Sequence, residues 1–323
     1  MSMRPIVLLG PTGGGKSELA VALAERLDRQ NGQIISADSM QVYRHLDAGT
    51  AKPPPHLRGR VPHHLIDLVE PTERFTVADW LQRADALIER LLSQQVRPIV
   101  VGGTNLYIKA LLEGLFDGPP HDPELRAQLA ALPAADLHER LEQIDPAAAE
   151  RIHPNDRKRL TRALEVFELT GKPISQWQQQ WQNSAESPAR YRHDPILIGL
   201  DWPVEEINKR INARVKQMFY PAACGFASES LPDETRRLEA SNLLGPQARE
   251  ALGYKQVLDW LGGRCTLDQA FEQTKILTRR FAKQQRTWLR RFVGVRWLAA
   301  AELSPTELAS RAVQMVQNPA EPR

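Results

Sequence analysis

Gly10-Pro11-Thr12-Gly13-Gly14-Gly15-Lys16-Ser17 reads G-x-x-x-x-G-K-S, the spacing of a phosphate-binding loop. The neighbouring residues suit that reading. Ile6-Val7-Leu8-Leu9 is a short apolar run of buried-strand type, and Leu19, Leu23 and Leu27 recur on one helical face from Glu18 to Leu27. Glycines let the backbone wrap a ligand closely, and the helix start aims N–H groups and a positive dipole end at one spot. Lys16 adds a mobile cation and the Ser17 hydroxyl a ligand for magnesium. The stretch predicts a strand–loop–helix unit that binds a phosphate chain, and hence an α/β fold with a parallel sheet. It does not say which phosphate compound, since kinases, hydrolases and other transferases share the loop.

Two further strand ends narrow the site. Ile34-Ile35-Ser36-Ala37-Asp38 reads as a second buried strand ending at Asp38. In open α/β sheets ligands sit beyond the carboxyl ends of the strands, so Asp38 shares the crevice with the loop. Two roles fit it there: a metal-water holder or proton acceptor, or the cap of a following turn. Pro98-Ile99-Val100-Val101 reads as a third strand, running into Gly102-Gly103-Thr104. Thr104 offers its hydroxyl either to the crevice or to a helix N-terminus.

With 323 residues the chain suits one core domain plus an insertion. A net charge of +3 is too small to argue for nucleic acid by itself, so charge distribution must decide. Cys224 and Cys265 have no metal-like spacing and read as reduced cytosolic thiols; His63 and His64 read as structural or surface. No signal peptide and no membrane-length apolar run is present, so a cytoplasmic protein is expected; separately, a monomer is the expected state. Residues 1–115 and 191–323 are expected to form a P-loop NTPase-like core, a parallel sheet flanked by helices. No strand pattern occurs in 116–190, whose Leu125, Leu129, Leu132, Leu137, Leu141, Ile144, Trp177 and Trp181 recur helically. That block is expected to be an all-helical insertion. Ile196 to Leu200 returns to the sheet, and Val295 to Leu298 reads as a last strand.

Two later helices carry charge in patterns. From Thr266 to Phe292, Lys275, Arg279, Lys283, Arg286 and Arg290 fall on one face, with Leu277, Phe281, Trp288 and Phe292 read as the core side. Only Glu272 could neutralise that stripe within the helix, which favours phosphate-backbone contact over a merely solvated face. In Val204 to Phe219, Arg210 and Arg214 stand one turn apart, and an Arg fork suits a diphosphate.

The loop, Asp38 to Pro53 and Val101 to Gly114 together resemble the tRNA dimethylallyltransferases closely. The likeness continues through His153-Pro154-Asn155-Asp156, Arg159, Arg162 to Val166, Gly171-Lys172-Pro173, Ala251 to Gln256 and Thr278 to Arg290, so it spans roughly Arg4 to Trp297. It departs at Ala227 to Pro232, a lengthened connector, and no contact is carried over between Phe219 and Arg237.

The resemblance implies transfer of a dimethylallyl group from dimethylallyl diphosphate to N6 of the adenine just 3′ of the anticodon, with diphosphate released. Gly10, Pro11, Thr12, Gly13, Gly14, Gly15, Lys16, Ser17 and Arg214 would hold the donor, with Mg2+ on Ser17. Asp38 would take the proton, and Thr12 and Thr104 would position donor and base. The tRNA anticodon stem-loop would be contacted by Asp38, Ser39, Met40, Gln41, Thr104 and Arg126. Further contacts would come from Lys158-Arg159-Leu160-Thr161-Arg162, from Glu250-Ala251-Leu252-Gly253-Tyr254-Lys255, and from Lys283-Gln284-Gln285-Arg286-Thr287-Trp288-Leu289-Arg290. The helical insertion would act as a tRNA clamp.

Two other classes fit part of the sequence. A small-molecule kinase would use the loop, Asp38 and the arginines but needs no basic stripe. A nucleotide-gated RNA binder needs no carboxylate at a strand end.

Overall fold

A computed structural model describes residues 3–27, 31–116, 118–178 and 191–318. The expected Trp181 and the tail after Asn318 lie outside the described residues. The chain divides into two compact units, Met1–Leu112 with Ser187–Arg323, and Glu113–Glu186.

The larger unit is built on six strands: β1 (Ile6–Leu9), β2 (Gly32–Ser36), β3 (His63–His64), β4 (Arg97–Val101), β5 (Ile196–Asp201) and β6 (Arg296–Ala299). Their order is β3-β2-β4-β1-β5-β6, and every pairing is parallel. Parallel strands are covered on both faces, which is why Ile6, Val7, Leu8 and Leu9 are all fully buried. His63 and His64 are a two-residue edge strand beside Ile34 and Ile35, so their structural reading acquires a definite place.

Four helices accompany the first strands: α1 (Lys16–Arg26), α2 (Pro55–Arg58), α3 (Val77–Ser93) and α4 (Asn105–Glu113). Helix α3 starts at a capping box in which Thr76 and Asp79 satisfy each other's backbone N–H. Its Trp80 donates to the Ser36 carbonyl at 2.8 Å and stacks on Tyr107 of α4, which anchors both helices near the end of β2.

The smaller unit is helical throughout its described residues: α5 (Pro123–Ala131), α6 (Ala134–Ile144), α7 (Pro146–Arg151), α8 (Arg157–Thr170) and α9 (Ile174–Trp177). Leu129, Leu137, Leu141, Leu160 and Leu164 fill its core, and Gly171 ends α8.

The chain then returns to β5 and adds α10 (Val204–Phe219), α11 (Leu231–Ala240), α12 (Pro246–Arg249), α13 (Tyr254–Leu261), α14 (Leu267–Leu289) and α15 (Pro305–Gln317). Helix α14 buries Thr274, Thr278, Ala282, Gln285 and Leu289. This corrects the expected core face in part: Phe292 is buried as expected, but Leu277 and Trp288 are only partly covered and Phe281 is 39% exposed. Small and polar residues win there because α14 packs closely on α10 and α13, leaving little room for aromatic rings. Among the described residues no helix is long and apolar enough to cross a membrane.

Candidate active site

The parallel sheet brings the loops after β1, β2 and β4 out at one end. The loop after β1 turns into α1 through Gly15, whose φ of 81° lies in the left-handed region that a side chain would strain. Lys16 then reaches back over its own loop, donating to the carbonyls of Gly10 at 2.9 Å and Pro11 at 2.8 Å. Burial, and then the neighbouring Arg214, lowers its pKa to about 8, while Asp38 and Glu18 pull the other way. A cation held this way is short of counter-charge, as a phosphate-binding cation should be.

Two more loop carbonyls are pinned, from the residue after β5 and from α10. Arg210 donates from Nε to Gly13 at 2.8 Å and lies 4.6 Å over the Trp202 ring, whose Nε1 donates to Gly14 at 3.1 Å. Fixing a carbonyl fixes the plane of its peptide, and with it the next N–H. One turn further along α10, Arg214 donates to the Thr12 hydroxyl at 3.2 Å. Burial lowers the Arg214 pKa, and Asp38 and Glu18 favour its charge. Lys16, Arg214 and Asp38 are therefore near enough to act on one another electrostatically.

Asp38 follows β2 by two residues. Its Oδ1 accepts from the backbone N–H of Met40 at 2.9 Å, so it does cap a turn. Among the described residues its Oδ2 accepts no hydrogen bond, which leaves one carboxylate oxygen for chemistry. Thr104 fixes this loop from β4: its hydroxyl accepts from the Ser39 N–H at 2.9 Å, and its own N–H donates to the Ala37 carbonyl at 3.2 Å. Gln41 is spent inside the fold, accepting from Ser36 at 2.9 Å and donating to Thr50 at 3.3 Å.

Several expected RNA contacts need correction. Leu160, Ala251, Tyr254, Gln285 and Leu289 are buried, so their side chains cannot lie against a nucleic acid, and Gly253 is buried with no side chain to offer. They were legible only as members of conspicuous segments, and those segments are conspicuous partly because they pack. Tyr254 donates to the buried Glu234 carboxylate, which also accepts from the N–H groups of Asp47 and Ala48. Arg126 and Arg162 converge on Glu165, which is fully buried, at 2.8 and 2.5 Å. Burial alone would raise the Glu165 pKa, but these arginines hold it below the usual range. Lys158, Arg159, Glu250, Lys255, Lys283, Gln284, Thr287 and Arg290 are exposed, and Thr161, Leu252, Arg286 and Trp288 are partly covered.

The basic stripe of α14 is partly engaged. Lys275 pairs with Glu272 at 2.8 Å, Arg279 donates to Asn212 at 2.7 Å and the exposed Arg290 lies 3.7 Å from Asp201, leaving Lys283 the more open cation. Lys283, Arg279, Arg280 and Arg286 rim a cavity of about 290 Å³ floored by Val204 and Ile207. The sequence reading passed over Trp202 and gave Gln285 as an RNA contact, whereas its amide is buried. A Gln in register with Thr274, Thr278 and Ala282 on the core row was the available signal.

Sheet order and the loop after β1 together define an α/β protein of the phosphate-loop type. The IPP transferase family model matches residues 41–292, and the chain belongs to that family. It is 46% identical over 297 residues to a tRNA dimethylallyltransferase of Geobacter sulfurreducens, covering 91% of both chains. It also resembles the solved full-length tRNA isopentenylpyrophosphate transferase of Bacillus halodurans, with a TM-score of 0.68, 35% identity, and coverage of 98% and 97%. A eukaryotic dimethylallyltransferase solved acting on tRNA gives a TM-score of 0.78 at 27% identity, covering 98% of this chain and 79% of that one.

Proposed function

We propose that this chain transfers a dimethylallyl group from dimethylallyl diphosphate to N6 of the adenine 3′ of the anticodon in tRNA, in the cytoplasm. One observation supports it above the others: Lys16 of the phosphate loop and Arg214, which donates to Thr12 of that loop, both lie within electrostatic reach of Asp38. The donor diphosphate lies on the loop amides, where Lys16 and Arg214 stabilise the charge that grows as its C–O bond breaks. The adenine amine attacks the allylic carbon, the C–O pair leaves with diphosphate, and the free oxygen of Asp38 takes the N6 proton. Thr104 holds the Ser39 backbone and so keeps that carboxylate placed.

Among the described residues no three acidic, His or Cys side chains cluster as a metal cage. The half-buried Ser17 hydroxyl at the start of α1 fits the other arrangement, in which a protein oxygen and substrate phosphates share the ion. Ser17 would hold Mg2+, which when bound neutralises charge on the diphosphate.

The target base leaves its stack to enter the crevice, as bases acted on by enzymes do. Lys283, Arg290, Lys158 and Arg159 supply phosphate contacts. The test is incubation with unmodified tRNA and radiolabelled dimethylallyl diphosphate, with ATP in a parallel reaction. Label in tRNA with free diphosphate released is expected, without ATP hydrolysis. Phosphoryl transfer from ATP to a small acceptor with no label in tRNA would replace this reading with a kinase.

A further inference from the structure

Gln285 is fully buried on α14, yet both ends of its amide are used by crevice loops. Its Oε1 accepts from the Thr12 N–H at 2.8 Å, and its Nε2 donates to the Gly103 carbonyl at 2.6 Å. These contacts leave the helix altogether: one partner belongs to the phosphate loop after β1, the other to the loop after β4. From Gly103 the path continues through Thr104 to the Ser39 N–H, next to Asp38. From Thr12 it continues through the hydroxyl to Arg214. A Cβ on residue 103 would stand 2.6 Å from Gln285 Nε2, so a side chain there would push the amide away.

We propose that Gln285 is a positioning residue that sets the separation between the donor-binding loop and the Asp38 loop. This rests on the transfer reaction proposed above. Among side chains of this length, only a neutral amide or a protonated carboxyl can accept from one loop and donate to the other. An ionised carboxylate offers two acceptors and would face the Gly103 carbonyl with like charge. A thioether fills the same volume and makes neither bond. A core spacer would need only the volume.

The distinction can be measured. Gln285→Met should lower kcat by roughly tenfold to a hundredfold, the scale on which misplacement of about 1 Å acts, with the KM for tRNA and donor within about threefold. Amide exchange at Thr12 should quicken in the same variant, independently of turnover. Gln285→Glu should show a kcat, relative to the parent protein, that climbs as pH falls, because the protonated acid donates to Gly103 again. A parent protein that does not prenylate tRNA would sink the transferase reading, with Thr12 exchange still deciding the bridge. A Gln285→Met kcat near the parent value, unchanged Thr12 exchange, or a flat Gln285→Glu ratio across pH would overturn the positioning role. Should neither variant fold, Gly103→Ala presses on the same amide from the loop side. It must lower kcat at least about fivefold, and a smaller effect would count against the bridge.

Discussion

Raising the pH through 8 should weaken donor binding, because Lys16 is the cation closest to losing its charge. With a pKa of about 8 in the free protein, about nine in ten Lys16 groups are charged at pH 7 and about one in ten at pH 9. A bound diphosphate favours the charged form, so binding at pH 9 must first restore the proton. Affinity for dimethylallyl diphosphate should therefore fall by about tenfold between pH 7 and pH 9. The donor changes little over that range, being about nine-tenths ionised at pH 7 already, since phosphate second ionisations lie near pH 6. Calorimetric titration in buffers of differing ionisation heat gives both the affinity and the proton uptake. Lys16→Met should bind more weakly at pH 7 and lose the pH dependence. Folding of the free protein responds in the opposite sense. The unfolded lysine holds its proton up to about 10.5 and the folded one releases it at about 8, so stability should climb by up to about 3 kcal/mol across that window. A donor affinity that is flat from pH 7 to pH 9 in the parent protein would refute the claim that Lys16 is a buried, under-compensated cation.

Glu165→Gln leaves two guanidiniums without a counter-charge; since these are about a third exposed, a loss of about 2 kcal/mol in the helical unit is expected by urea denaturation, with donor affinity unchanged. No loss of stability would show that the triad is idle. Tyr254→Phe removes a donor from the buried Glu234 carboxylate and should cost about 1–3 kcal/mol, seen as a lower urea midpoint at pH 7; an unshifted midpoint would mean the hydroxyl contributes nothing. Lys283→Ala with Arg290→Ala should reduce the slope of log tRNA affinity against log salt by about 1.5 and leave donor affinity intact. An unchanged slope would place the RNA elsewhere.

Much of this was legible in the sequence because the strand–loop–helix unit is a local device. The strands β1, β4 and β5 are apolar runs whose burial leaves no other arrangement, and Gly10 to Ser17 carries its ligand class in the spacing. Arg214 was placed from the resemblance and stands beside Thr12. What the sequence concealed is long-range. Only register along α14 distinguishes Gln285 from the exposed Gln284, and nothing in the sequence shows that the inward one meets a loop 273 residues away. Arg126 and Arg162 look like free cations until the fold buries Glu165 between them. The strand β3 was missed because two histidines carry no alternation to read.

Asp38 is the point on which transfer chemistry depends most, and its substitution by asparagine keeps the Met40 cap while removing the proton acceptor. Single-turnover prenylation with Asp38→Asn, tRNA and donor prebound at saturation, should be slower by about a hundredfold or more at unchanged tRNA affinity. A single-turnover rate within a few-fold of the parent protein would remove Asp38 from the reaction and contradict the account of this crevice.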